Sequence, residues 1–113
     1  MTEVFYDVDG MYLHCKGHAG GGTAGNDIIC AGVSALTMAL LNQVNIEEEQ
    51  GNIRSEWDMK PGDFTISVTA EKEHYRRRIR DYYRVIVIGL RALADNYPDN
   101  IRTEEVKIGG RNV

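Results

Sequence analysis

The chain has 113 residues, 42% of them hydrophobic and only 2 of them proline, which suits one folded domain over residues 1–113 and argues against a disordered tail. No apolar run approaches the ~18 to 20 residues of a membrane-spanning helix, and the start, MTEVFYDVDG, shows no signal peptide. Two cysteines without a secretory cue exclude a disulfide scaffold. We therefore expect a cytoplasmic location and no membrane partner.

The charge is unevenly distributed along the chain. Thirteen basic and 17 acidic residues give a net charge of −4, yet residues 71–84, EKEHYRRRIRDYYR, are rich in arginine. A nucleic-acid binder usually carries a dominant basic footprint, and the whole chain does not, so we expect no direct nucleic-acid partner. The arginines are read either as a solvated helix face, with a Glu73–Arg77 pair at i,i+4, or as a patch for RNA or a protein partner.

Hydrophobic periodicity predicts five strands and two helices. Strands over 3–8 and 11–17 are joined at Asp9-Gly10, a two-residue type I′ hairpin signal. A long helix over 27–48, capped by Asn26 or Asp27 and apolar around most of its circumference, should be largely buried. Strands over 52–59 and 64–70, a helix over 71–96 and a weaker strand over 101–108 follow. The order ββαββαβ predicts an α+β fold, with two helices packed on a mostly antiparallel sheet.

Cys30 is the candidate nucleophile. It falls in the first turn of the predicted long helix, where unpaired amides and the helix dipole stabilise a thiolate. Its own backbone amide, with one from the preceding loop, is a candidate oxyanion hole. The alternative is a small apolar core residue, since free cysteine is among the most buried residue types.

His18 is the candidate base, twelve residues before Cys30. It opens the segment GHAGGGTAG, which is too glycine-rich for regular structure and lets a substrate backbone approach closely. The candidate substrate contacts in this segment are Gly20, Gly21, Gly22 and Gly25. The alternative for His18 is a solvated loop histidine.

Asp27, Cys30 and Ser34 share one face of the predicted helix, at i, i+3 and i+7. Asp27 either orients the imidazole of His18 or only caps the helix. Ser34 either contacts substrate or bonds back to a carbonyl one turn earlier.

A zinc site is the rival reading of the same region. Its ligands would be His14, Cys15, His18 and Cys30. However, His14 and Cys15 are adjacent in a strand and should point to opposite faces, which leaves at most three ligands without a standard spacing. We therefore predict no metal site and assign Cys15 to the core.

The segment GHAGGGTAGNDIICAGVSAL, residues 17–36, resembles the ribosomal-processing cysteine protease family, Prp. The family pattern is a Gly-His-Ala, a short loop, then Gly-x-Asp-Ile-Val-Cys-Ala-x-Val-Ser-Ala. The matching residues are Gly17, His18, Ala19, Gly25, Asp27, Ile28, Cys30, Ala31, Val33, Ser34 and Ala35. The chain departs from the pattern in the loop, where Gly21, Gly22 and Ala24 replace residues that are commonly bulkier, so substrate contacts are expected to differ there.

The resemblance implies a His18–Cys30 dyad supported by Asp27, a homodimer and no cofactor. It also implies removal of a short N-terminal extension from a bacterial ribosomal protein, or processing of a phage capsid or scaffold protein. Two other hypotheses remain open: a non-catalytic ribosome- or RNA-associated module that uses the Arg76–Arg84 helix face, and a structural phage or dimerisation protein of the same fold. One domain this short has little room for a deep cleft, so a dimer and a mobile loop are expected to help form the site.

Overall fold

A computed structural model describes residues 1–17 and 24–108, with backbone only for residues 24–26. The elements in chain order are β1 (Thr2–Asp7), β2 (Tyr12–Lys16), α1 (Ala24–Glu49), β3 (Arg54–Lys60), β4 (Asp63–Thr69), α2 (Glu73–Asn96) and β5 (Ile101–Glu105). The predicted order ββαββαβ and the α+β class are confirmed.

The five strands form one sheet in the order β3-β4-β2-β1-β5. The β3–β4, β4–β2 and β2–β1 pairs are antiparallel, and β5 adds to β1 in parallel. Alternate residues of the central strands, such as Leu13, Ile66 and Val4, are buried under the two helices. Their neighbours in sequence point to the other face, which is polar and carries no helix among the described residues.

The β1–β2 connection differs from the predicted type I′ turn. The amide of Met11 donates to the carbonyl of Val8 at 3.1 Å, and the positive φ, 54°, is at Met11 rather than at Asp9 or Gly10. The buried carboxylate of Asp7 holds this turn, because it accepts bonds from the amides of Gly10 (3.1 Å) and Ile108 (2.9 Å). Hairpin loops slightly longer than two residues commonly have a type I turn followed by one residue of positive φ, which here is Met11.

Helix α1 begins earlier than the sequence suggested, and it is less buried than expected. It begins at Ala24, so Asn26 and Asp27 lie in its first turn rather than at the cap. The sheet and α2 cover only part of the circumference of α1, and the rest is exposed. The exposed fraction reaches 46% at Ile28, 40% at Met38 and 47% at Ile46. The prediction of a largely buried central helix is therefore wrong.

The segment Asp27–Glu49 of α1, 23 residues long, has the length and composition of a membrane-crossing helix. The expectation that the chain contains no such segment is thus wrong, although a helix of a sheet-packed core passes the same test. In this structure α1 inserts Ile29, Leu40 and Val44 between the layers, and these side chains are at most 1% exposed.

Helices α1 and α2 run antiparallel in close contact. Gly32 lies against Leu93 near one end, and Leu36 lies against Gly89 one turn further along. At the other end Glu47 of α1, 3% exposed, is held by Arg78 of α2 at 2.8 Å. Glycine at the crossing lets the helix backbones approach, and the ion pair fixes their register.

Glu47 makes further hydrogen bonds besides its ion pair with Arg78. It also accepts bonds from Tyr82 Oη at 3.0 Å and from Asn52 Nδ2 at 2.8 Å. Burial alone would raise the pKa of Glu47, but the hydrogen bonds from Asn52, Arg78 and Tyr82 outweigh it and lower the pKa below the ordinary value. The folded state therefore binds the proton less tightly than the unfolded chain.

We predict that Glu47→Gln lowers the free energy of unfolding near pH 7 by about 1–3 kcal/mol, since it removes the charge that Arg78 and the other donors bind. The contribution of Glu47 is present above its unfolded pKa and is lost as the pH falls through the lower folded pKa. The difference between wild type and Glu47→Gln should therefore shrink in acid. Urea unfolding at a series of pH values measures it. The exposed Glu49→Gln is the control, and equal stability of the two variants at pH 7 would contradict the role of Glu47.

Candidate active site

A cavity of about 460 Å³ opens between the N-terminal half of α1 and the β3–β4 hairpin. Helix α1 contributes one wall through Cys30, Val33, Ser34, Thr37 and Met38. The opposite wall is residues 59–64, which form the hairpin tip, and the end of β2 closes the base with Cys15 and Gly17. Thr2 of β1 completes the lining, so the cavity joins segments that are far apart in sequence.

Cys30 reaches this cavity as an exposed side chain. The alternative of a buried core cysteine is wrong for Cys30. Its position in α1 also differs from the expectation, because the helix begins six residues earlier, at Ala24. The dipole effect falls off within the first turn, and an amide this far into a helix is bonded to the carbonyl four residues before it. Neither the helix-terminus argument for a thiolate nor the Cys30 amide as oxyanion donor therefore holds.

Cys15 has the opposite environment. Its side chain is 5% exposed at the base of the cavity, and burial raises the pKa of the Cys15 thiol to about 12. Its strand neighbour His14 lies on the other face of the sheet, with Nε2 2.7 Å from Asp63 Oδ1. The argument that His14 and Cys15 point apart is confirmed, as is the assignment of Cys15 to the core. Within residues 1–17 and 24–108, no three His, Cys, Asp or Glu side chains cluster as a metal site would require.

Gly17 fixes how the chain leaves β2 toward His18. Its φ is 102°, and its amide donates to the carbonyl of Gly62 in the hairpin turn at 2.9 Å. A Cβ at Gly17 would overlap the carbonyl oxygen of Met1. Only glycine fits this conformation and this contact, so the end of β2 is tied to the cavity wall.

The predicted base, His18, lies outside the described residues. The substrate-contact candidates Gly20, Gly21 and Gly22 also lie outside them, and Gly25 is described only as part of the α1 backbone. The pairing of His18 with Cys30 therefore stays a prediction. What the structure provides is the anchored residue before His18 and an exposed Cys30 on the same cavity.

Of the other two site candidates on α1, Ser34 lines the cavity and Asp27 does not. Ser34 lines the cavity one turn after Cys30, in a position to contact a bound chain. Asp27 is exposed one turn before Cys30 and is not among the described residues of the cavity wall. Because α1 starts before Asp27, the interpretation of Asp27 as an N-cap is wrong. The support that Asp27 would give to His18 stays a prediction.

The arginine-rich face of α2 is largely neutralised by acids of the same molecule. Glu73 binds Arg76 at 3.0 Å and Arg80 at 2.8 Å, rather than the Arg77 expected from spacing. Arg78 binds Glu47, and Arg84 binds Asp81. These arginines are thus engaged in ion pairs of the same molecule, which agrees with the solvated-face interpretation.

Sequence reasoning missed the hairpin side of the cavity. Met59, Pro61 and Phe64 were assigned to a strand and a turn, with no indication that they face Cys30. No local signal could have found them, because the contact joins α1 to residues some thirty positions later in the chain. The turn signal at Pro61-Gly62 located the hairpin tip but did not indicate that α1 lies opposite it.

The comparisons with known proteins agree with this architecture. A family model described as cysteine protease Prp matches residues 2–102. The essential ribosomal processing protease Prp from S. aureus, solved with a covalently linked product peptide, is 22% identical with a TM-score of 0.68, covering 93% of this chain and 97% of that one. The same protease with a substrate peptide gives 21% identity, a TM-score of 0.67 and the same coverage. The protein SMU.848 from Streptococcus mutans is 24% identical with a TM-score of 0.64, covering 93% of this chain and 91% of that one. No curated protein matches the sequence.

The two cysteines should differ sharply in reactivity. We predict that iodoacetamide modifies Cys30 in the native protein near pH 7.5, while Cys15 stays unmodified because it is buried with a pKa of about 12. Peptide mapping by mass spectrometry measures the modified fraction at each site. Unfolding in urea is the control and should make both thiols reactive. Equal native labelling of the two cysteines would contradict the burial of Cys15.

Proposed function

This chain belongs to the Prp family of cysteine proteases, and from that premise we propose that it removes a short N-terminal extension from a bacterial ribosomal protein. The matched S. aureus protease is a ribosomal processing enzyme, which favours a ribosomal substrate over a phage capsid or scaffold protein. A substrate of that kind also fits the expected cytoplasmic location. The observation that carries the proposal is an exposed Cys30, at the motif position, on the wall of a cavity of about 460 Å³.

In the proposed mechanism, His18 takes the proton of the Cys30 thiol and the thiolate attacks the carbonyl carbon of the scissile peptide bond. His18 then returns the proton to the leaving amine, so the C–N bond breaks and a thioester forms on Cys30. Water, deprotonated by His18, hydrolyses the thioester and releases the new carboxylate. Asp27 orients the imidazole, and no step requires a metal or cofactor.

Stabilisation of the oxyanion needs donors other than the amide of Cys30. The first four amides of a helix have no helical partner, and in α1 these belong to residues 24–27. We place the oxyanion donors among these amides, including that of Gly25, and those of the preceding glycine-rich segment, which includes Gly20, Gly21 and Gly22. Ser34, one turn further along the cavity, is proposed to contact the bound peptide.

The proposed assembly is a homodimer, in agreement with the family resemblance. An outer helix face supports it: Val85 is 66% exposed, Ile88 58%, Ile28 46% and Ile46 47%. These four side chains from α1 and α2 are turned away from the sheet. A monomer rarely leaves so many large apolar side chains uncovered on one layer, and a second copy of the chain would bury them.

The catalytic assignment is tested with three variants. Cys30→Ala and His18→Ala should each lower kcat by roughly 10³-fold or more, because nucleophile and base act as a unit. The matched control Cys15→Ala removes the other cysteine and should retain near-normal kcat despite some loss of stability. The measurement is mass spectrometry of an N-terminally extended ribosomal protein after incubation with each variant. Cleavage that persists in Cys30→Ala would refute the mechanism.

The dimer is tested by charge substitution on the outer helix face. Ile88→Glu should convert the dimer to a monomer in light scattering coupled to size exclusion, because burying an unpaired carboxylate is costly. Glu104→Ala, an exposed change on β5, is the control and should leave the dimer intact. A wild-type chain that is already monomeric at high micromolar concentration would contradict this assembly.

A further inference from the structure

The tip of the β3–β4 hairpin forms one wall of the cavity beside Cys30, yet the helix layer supports this tip only in part. Phe64, on the helix side of β4, is 6% exposed. Met59, its partner on β3, is 44% exposed, and Pro61 in the turn is exposed as well. The position of the tip therefore depends on contacts with β2, the strand on the other side of β4.

Strand β2 meets the hairpin at its own last residues, where the chain continues to His18. Lys16 pairs with Asp63 in the antiparallel register, and the Gly17 amide adds its bond to the carbonyl of Gly62 in the turn. These are the outermost pairs of the β2–β4 ladder, and solvent-exposed backbone hydrogen bonds at the end of a ladder open easily. A side-chain contact across the two strands would hold this end closed.

Asp63 is held by His14 rather than by the lysine directly opposite it. Lys16 is the cross-strand partner of Asp63, but its ammonium group lies 5.5 Å from the centre of the Phe5 ring. Oδ1 of Asp63 instead lies 2.7 Å from Nε2 of His14, which is two residues earlier on the same face of β2. A carboxylate only accepts hydrogen bonds, so Nε2 is the donor. Such diagonal neighbours on antiparallel strands are within reach of long side chains.

His14 is itself held in place by the sheet. Its side chain is 24% exposed, and its ring lies beside Phe5 of β1, with the two ring centres 6.1 Å apart. In the register His14 faces Thr65, so the imidazole reaches one pleat further to bind Asp63, the first residue of β4. A donor on an inner strand of the sheet therefore binds an acceptor that directly follows the turn of the hairpin.

We propose that His14 is a positioning residue of the protease: through Asp63 it holds the tip of the β3–β4 hairpin, and with it the cavity wall opposite Cys30, in the conformation that binds the substrate. This inference rests on the proposed function and adds to it a residue on the opposite face of the sheet. Asp63 is among the described residues that line the cavity, and His14 is not. His14 therefore acts through Asp63 and takes no part in the bond cleavage itself.

His14→Leu, which keeps a large side chain but has no donor, tests the proposal through steady-state kinetics on an N-terminally extended ribosomal protein. It should raise KM by about 5-fold or more and change kcat by less than about 2-fold, because a displaced wall weakens substrate binding and leaves the reacting groups in place. KM does not depend on the concentration of active enzyme. A merely structural loss of folded protein would therefore lower the maximal velocity and leave KM unchanged.

Two further variants make the test specific to the hydrogen bond. His14→Gln is the conservative variant, because the glutamine amide can donate to Asp63 from a similar distance along the side chain, and it should restore the KM of wild type. Tyr12→Leu, on the same strand and face but one pleat further from the turn, is the matched control and should also keep that KM. A wild-type KM in His14→Leu, or an equal rise of KM in Tyr12→Leu, would overturn the proposal.

Hydrogen exchange separates a failure of this inference from a failure of the proposed function. Amides of residues 59–64 should exchange about 10-fold faster or more in His14→Leu than in wild type and Tyr12→Leu, while those around Leu90 in the core of α2 stay unchanged. Mass spectrometry of peptic fragments measures both segments. Absence of any Cys30-dependent cleavage would refute the proposed function, and exchange would then decide alone whether His14 holds the hairpin. Unchanged exchange at residues 59–64 in His14→Leu would overturn its role.

Discussion

Two packed helices cover only about four strands of a sheet, since helix axes lie about 10 Å apart and strands about 4.8 Å apart. This sheet has five strands in the order β3-β4-β2-β1-β5. The close contact at Gly32 and the ion pair between Glu47 and Arg78 hold α1 and α2 together over the centre. One edge strand must then stay uncovered on its helix side, and that strand is β3. The cavity beside Cys30 and the exposure of Trp57 and Met59 both result from this mismatch.

The same placement explains why Cys30 is available to a substrate. A cysteine on the sheet side of α1 would be buried like Ile29, its neighbour, which is 0% exposed. Cys30 is turned instead toward the flank where β3 leaves space. Because Cys30 lies beyond the first turn of α1, the helix dipole contributes little to its activation, and the mechanism proposed above assigns that activation to His18. The tie between Gly17 and Gly62 brings the chain to that flank just before His18, which gives a structural role to a glycine inside the family motif.

Local sequence patterns were sufficient to predict the order of the strands and helices, and which residues of the sheet are buried. Alternation located Leu13 and Ile66 on the buried face, and a short motif selected Cys30, because both signals lie within a few residues. Three features depended on distant partners and were missed or misplaced. The β1–β2 turn is set by Asp7 binding Ile108, a contact across the whole chain. The exposure of α1 and the cavity wall at Met59 depend on where the helix settles across the sheet, which composition and periodicity do not specify.

In the proposed mechanism, Cys30 forms the covalent bond to substrate at this uncovered flank. Rapid acid quenching of the wild-type protein with an N-terminally extended ribosomal protein, followed by peptide mapping, tests it most directly. We expect a mass increase equal to the released N-terminal peptide less one water on the fragment that contains Cys30, removed by hydroxylamine as expected for a thioester. An acyl adduct on any other residue would contradict it.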